Sequence, residues 1–156
     1  MFRGYEGICV TFDHLGNFFH FDYIEDGLKH ICSIQFYRNG KIQRLTEYLH
    51  DKRHGRRLTY NYDGQLVRES NFVHGKRVGQ TRRYDDENRI RWIAWHDWRV
   101  QRDALREVEI SETGKITKHL MFRQGERIDI RGDVDHYDLT AEDIIFLKLK
   151  YSCHVM

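Results

Sequence analysis

The chain of 156 residues contains no proline. That excludes proline-stiffened linkers and polyproline segments, and it removes one device that keeps edge strands from pairing with other chains. Charge or cover must protect any exposed edge instead. Cysteine is scarce: Cys9, Cys32 and Cys153 are too few for a disulfide framework, which points to a reducing compartment. No apolar run is long enough to span a bilayer. The start, MFRGYEGICVTFDH, shows neither a charged leader with an apolar stretch nor a cleavage site, so a cytoplasmic protein is expected. Nucleophile elbows, phosphate-binding loops, nucleotide-binding glycine patterns, CxxC and HExxH are all missing. The expectation is a protein that is not an enzyme and carries no cofactor or metal.

What the chain does have is a glycine rhythm. Gly16, Gly40 and Gly64 are followed by Asn88 at the same 24-residue interval, and then by Gly114 after 26. A two-residue insertion between Arg99 and Arg106 would restore the phase. A second register holds Gly27, Asp51, Gly75, Arg99 and Gly125, and a partial third holds Gly7, Gly55 and Gly79. Self-similarity at such a period is the signature of a repeat array.

Columns measured from each marker glycine give the strands. Four residues before it stand Phe12, Phe36, Tyr60, Tyr84 and Ile110; six before, Val10, Ile34, Leu58, Arg82 and Val108. Two after it stand Phe18, Ile42, Leu66, Ile90 and Ile116; eight after, Ile24, Tyr48, Phe72, His96 and Phe122. These offsets share one parity, which predicts one apolar face of extended strands. Asn39-Gly40, Asp63-Gly64 and Asp26-Gly27 are dipeptides of two-residue hairpin loops, with Thr113-Gly114, His74-Gly75 and Glu87-Asn88 as less ideal versions.

The fold class expected is mainly β: an elongated, twisted antiparallel sheet of about five hairpin repeats, near 7–30, 31–54, 55–78, 79–104 and 105–130. Gly16, Gly40, Gly64, Gly75, Gly114 and Gly125 are its structural turns. The tail, 131–156, reads as a helical cap. Thr140 and Asp143 make a box-like start to a helix at about 141–152, with acids early and lysines late. A final strand from Ile144 to Tyr151 is the alternative.

Charge sums to +2 but is uneven. Residues 52–106 hold fourteen Lys and Arg against seven acids, while 1–51 hold five against seven and 107–156 seven against ten. A basic middle with interleaved Tyr and Trp invites nucleic acid. Alternation along strands, however, would send about half of these arginines to each side, so a solvated, salt-bridged face is the simpler expectation. Interfaces enriched in Arg, Tyr and Trp fit protein recognition better. Arg91, Ile93 and Trp95 fall on the side that elsewhere is polar, either covered by other parts of the chain or exposed for binding. His50 and His74 hold equivalent positions two strands apart, about 10 Å, too wide to share a zinc ion.

The run His54-Gly55-Arg56-Arg57-Leu58-Thr59-Tyr60-Asn61-Tyr62-Asp63-Gly64-Gln65-Leu66, followed by Glu69-Ser70-Asn71-Phe72-Val73-His74-Gly75-Lys76-Arg77-Val78-Gly79, resembles a MORN-type repeat. It is similar to the bacterial and phage MORN-variant repeat of antitoxin-like proteins. The resemblance implies an elongated sheet of stacked hairpins and an antitoxin or immunity role in many bacterial relatives, with membrane or scaffolding roles in eukaryotic ones. The fourth repeat departs from the pattern, with Asn88 and Arg99 for glycine and tryptophans entering.

The functional expectation is a protein-binding module that occludes a toxin or other effector through Arg82, Arg83, Arg91, Trp92, Trp95 and Trp98. Binding of nucleic acid or an anionic membrane surface by the basic middle is a second reading. Self-assembly through open edge strands, as a homo-oligomer, is a third.

Overall fold

The computed structural model describes residues 4–96, 106–123 and 126–129. Eleven strands follow one another in chain order across a single antiparallel sheet: β1 (Gly7–Phe12), β2 (Phe18–Glu25), β3 (Leu28–Phe36), β4 (Ile42–Leu49), β5 (Lys52–Tyr60), β6 (Leu66–Val73), β7 (Lys76–Tyr84), β8 (Ile90–His96), β9 (Arg106–Ile110), β10 (Ile116–Arg123) and β11 (Glu126–Asp129). Each strand pairs only with its neighbours in sequence, as stacked hairpins require. No helix occurs among the described residues. The expected cap at 141–152, the insertion before Arg106, Trp98 and Gly125 lie outside them.

Two kinds of turn alternate. At Asp26-Gly27, His50-Asp51 and His74-Gly75 both residues have positive φ, from 47° to 86°, the pattern of a two-residue type I′ loop. The marker-glycine turns differ from the expectation. The amide of Gly40 donates to Tyr37 O and that of Tyr37 to Lys41 O, with Gly40 at φ 80° and no positive φ at Asn39. That is a type I turn closed by one left-handed residue, the three-residue hairpin loop. The same bonds recur around Gly16, Gly64, Asn88 and Gly114. Side chains three before the marker complete these loops: Asp13, Asn61 and Asp85 each accept two backbone N–H groups, and Ser111 accepts that of Lys115.

A bulge follows every such turn. Gln35 pairs with Arg44 but Phe36 with Ile42, leaving Gln43 extra, and the skip repeats at Phe19, Val67, Arg91 and Thr117. One extra residue reverses which face the rest of the strand presents. The column eight after the glycine therefore does not share the apolar face, as simple parity predicts. Its place is taken by the column five after: Phe21, Leu45, Glu69, Ile93 and His119, opposite Ile34, Leu58, Arg82 and Val108 in the register.

The third glycine register has a distinct cause. Gly55 and Gly79 hold φ of 104° and 62° in a second bulge where the strand steps out of register, and Gly7, at the start of β1, holds 142°. Ile31 occupies the equivalent position with φ 62°. Left-handed backbone is strained for a β-branched residue, so one repeat tolerates what the others avoid with glycine.

Burial concentrates toward the later strands. Ile90, Ile93, Val108 and Ile110 form the core of the apolar face, with Tyr84, Trp95 and Ile116 packed against them. On the opposite face a line of small or hydroxyl side chains is buried, namely Ser33, Thr46, Ser70, Thr81 and Ala94, and Phe72 lies beside it.

Candidate functional site

The register sorts the charges by face. On the apolar face acids and arginines are matched. Glu47 takes the Arg56 amide at 2.7 Å and its guanidinium at 3.5 Å. Glu69 accepts from the Tyr84 hydroxyl at 3.0 Å and lies 3.5 Å from Arg82, which also donates to Gln80. Burial and the facing Glu69 carboxylate push the Tyr84 phenol up to about 12.

The other face is different. From β4 to β7 it carries Arg44, Arg53, Arg57, Arg68, Arg77 and Arg83 with Thr46, Thr59, Ser70, Thr81, Tyr48 and Phe72, and no carboxylate. Side-chain contacts agree with that placement. The Arg53 guanidinium stacks 4.3 Å from the centre of the Phe72 ring, Arg77 lies 5.9 Å from the same ring, and Arg83 stacks 4.6 Å from Trp92. Burial, reinforced by the charges of Arg44 and Arg53, pushes the Arg57 guanidinium below its ordinary range. Arg68 is lowered by burial and by Arg77 and Arg83. The Nε atoms of Arg44 and Arg68 are buried without a hydrogen-bond partner. Among the described residues of β4 to β7 no carboxylate lies on this face, and an anionic ligand would add negative charge to it.

At the edge of this surface lies an open groove of about 760 Å³, lined by Arg83, Arg91, Trp92, Tyr84, Glu109 and residues of the Ile110–Thr113 turn among others. Arg91 is the bulge residue of β8, and its Nη1 is buried without a hydrogen-bond partner.

Of the side chains picked out in the sequence, the structure brings Arg83, Arg91 and Trp92 together at this groove. It puts Arg82 and Trp95 on the opposite face. Trp95 packs against the apolar core, with the Arg106 guanidinium 5.0 Å from its ring. Ile93 is 2% exposed, so this part of the fourth repeat is covered core. Arg44, Arg53, Arg57, Arg68 and Arg77 were not singled out, because alternation without bulges splits the arginines evenly. Their signal is the repeat itself: Arg44 and Arg68 are 24 residues apart, as are Arg53 and Arg77.

No protein-family model matches the chain, and no curated protein matches it. Among solved structures, one of a mutant of S. aureus TarM in complex with fondaparinux, alpha-GlcNAc-glycerol and UDP is similar over 64% of this chain, at 10% identity and a TM-score of 0.43. A second TarM crystal structure is similar over 63%, at 11% identity and a TM-score of 0.42. The chain covers 19% of TarM.

Proposed function

We propose that this protein is a non-enzymatic, cytoplasmic binding module of the MORN-type hairpin kind, and that its working surface is the arginine face of β4 to β8. The partner is a protein with an acidic surface, such as a toxin or effector that the module occludes in the manner of an antitoxin or immunity protein. One observation carries the reading: six arginines share a face that has no carboxylate from β4 to β7, while the reverse face pairs its acids. The half-buried Arg53, stacked on Phe72, and the exposed Arg83, stacked on Trp92, are held in place before binding, which lowers the ordering cost of an interface.

Affinity purification from the native host with the wild-type chain and with R57E/R68E tests this. A protein recovered in stoichiometric amount by the first and lost from the second supports it. The same protein recovered equally by both, or nucleic acid recovered in its place, overturns it. The arginine face also favours a second reading, in which the ligand is nucleic acid or an anionic lipid surface. Phosphate contacts then dominate, and affinity falls steeply between 50 and 200 mM salt, roughly 10³-fold or more for six to ten contacts.

A further inference from the structure

Two pairs of histidine rings stand side by side, one repeat apart. The ring centres of His30 and His50 are 5.1 Å apart with planes at 66°, and those of His54 and His74 are 5.0 Å apart at 69°. The pairs form because each two-residue turn docks on the preceding hairpin. The Asp51 amide donates to Lys29 O, and the Gly75 amide donates to Arg53 O. His50 and His74 begin those turns, while His30 and His54 immediately precede the left-handed bulge residues Ile31 and Gly55. Comparing equivalent positions, His50 with His74, misses these neighbours, which are 20 residues apart in the chain.

We propose that the His30–His50 pair, flanked by the Glu25 carboxylate, is a binding site for a late first-row divalent cation such as Zn²⁺ or Ni²⁺, with solvent completing the coordination, and that His54–His74 is its weaker twin. Two imidazoles on one tetrahedral ion, each bonded at about 2.0–2.1 Å, hold their ring centres about 5 Å apart, the separation found at both pairs. Among the described residues no group of three or more His, Cys, Asp and Glu side chains is gathered around one point, so this is a two-imidazole site. Imidazole nitrogen suits zinc, nickel and copper rather than magnesium or calcium.

Glu25 distinguishes the two pairs. Its Oε2 lies 3.2 Å from His30 Nδ1. A carboxylate beside the imidazole pair adds negative charge that attracts a cation. At the second pair Leu49 takes the position of Glu25, so that carboxylate is missing. Arg53 adjoins His54 in the chain and adds a positive charge there. The first pair therefore binds more tightly. Equivalent sites lie about 10 Å apart, two strands along the sheet.

Calorimetric titration of the full chain with Zn²⁺ tests the proposal, using E25Q, H30A/H50A and H54A/H74A for comparison. The expected result is a tighter site lost in H30A/H50A, retained in H54A/H74A, and weakened severalfold in E25Q, where the neighbouring negative charge is removed. Long-range ¹H–¹⁵N spectra of the wild-type imidazoles give a second readout that needs no variant to fold. On adding Zn²⁺, His30 and His50 nitrogens shift first and His54 and His74 later. Zn²⁺ affinity unchanged in H30A/H50A, or imidazole shifts confined to other histidines, overturns the proposal. Neither outcome bears on the arginine face, which R57E/R68E tests separately.

Discussion

On the apolar face, Val10, Phe12 and Phe18 of the first hairpin are 42%, 58% and 39% exposed, while Val108, Ile110 and Ile90, at the equivalent positions of later hairpins, are 1%, 3% and 1% exposed. The columns are the same and the residues equally apolar. Periodicity therefore assigns a side chain to a face but does not decide whether that face is covered. The two questions separate because neighbouring strands in a sheet shield only the flanks of a side chain.

Truncation is the sharpest way to break the comparison. Ile93→Ala empties a fully packed position of the late core and is expected to destabilise by about 2–5 kcal/mol. Phe12→Ala at the open end should cost well under half of that, since little apolar area returns to water. Denaturant unfolding of both variants checks this, and equal losses would mean that the first hairpin is as well packed as the last.

Alkaline titration sharpens it from the covered side. The Tyr84 phenol is raised to about 12 from an ordinary 10 by burial and by Glu69. The folded state holds that proton more tightly than the unfolded state. The stabilisation is thus complete below pH 10 and is lost as pH rises toward 12. Tyr84→Phe should flatten unfolding free energy across that window relative to wild type.

Backbone strain offers a gain at the opposite end. Replacing Ile31, at φ 62°, by glycine should stabilise the chain by about 1 kcal/mol, because relief of a left-handed β-branched residue exceeds the entropy glycine adds to the unfolded state. An Ile31→Gly variant that melts lower than wild type would show that the side chain contributes more by packing than its backbone costs.

The smallest effect concerns Asp22. Burial pushes its carboxyl up, but hydrogen bonds from Lys29 and Ser33, with His20 nearby, pull it to a net value below the ordinary 3.8. Its stabilisation is present above that pH and fades as acid titrates the folded form. Asp22→Asn should remove a shallow acid-side slope, measured as unfolding free energy between pH 5 and 2.

Strand positions, turn spacing and the antiparallel order were legible in the sequence because turn glycines and apolar columns repeat together. Face assignment beyond each turn was not. Phe72 and Leu45 exchange their expected sides because Gln43 and Val67 are extra residues, and a bulge leaves no mark in a parity count. The arginine face was lost for the same reason. Arg83 and Trp92 were identified and do meet, whereas Arg82 and Trp95, expected to project with them, face the other way.

Strand order equal to chain order has a further meaning for how such a molecule changes size. A 24-residue cassette could be spliced in at any hairpin boundary without rewiring an existing ladder, lengthening the row of Arg53 and Arg77 by about 10 Å per copy. The footprint offered to a partner would then grow in fixed increments, as on a ruler, while the chemistry of each increment stayed the same.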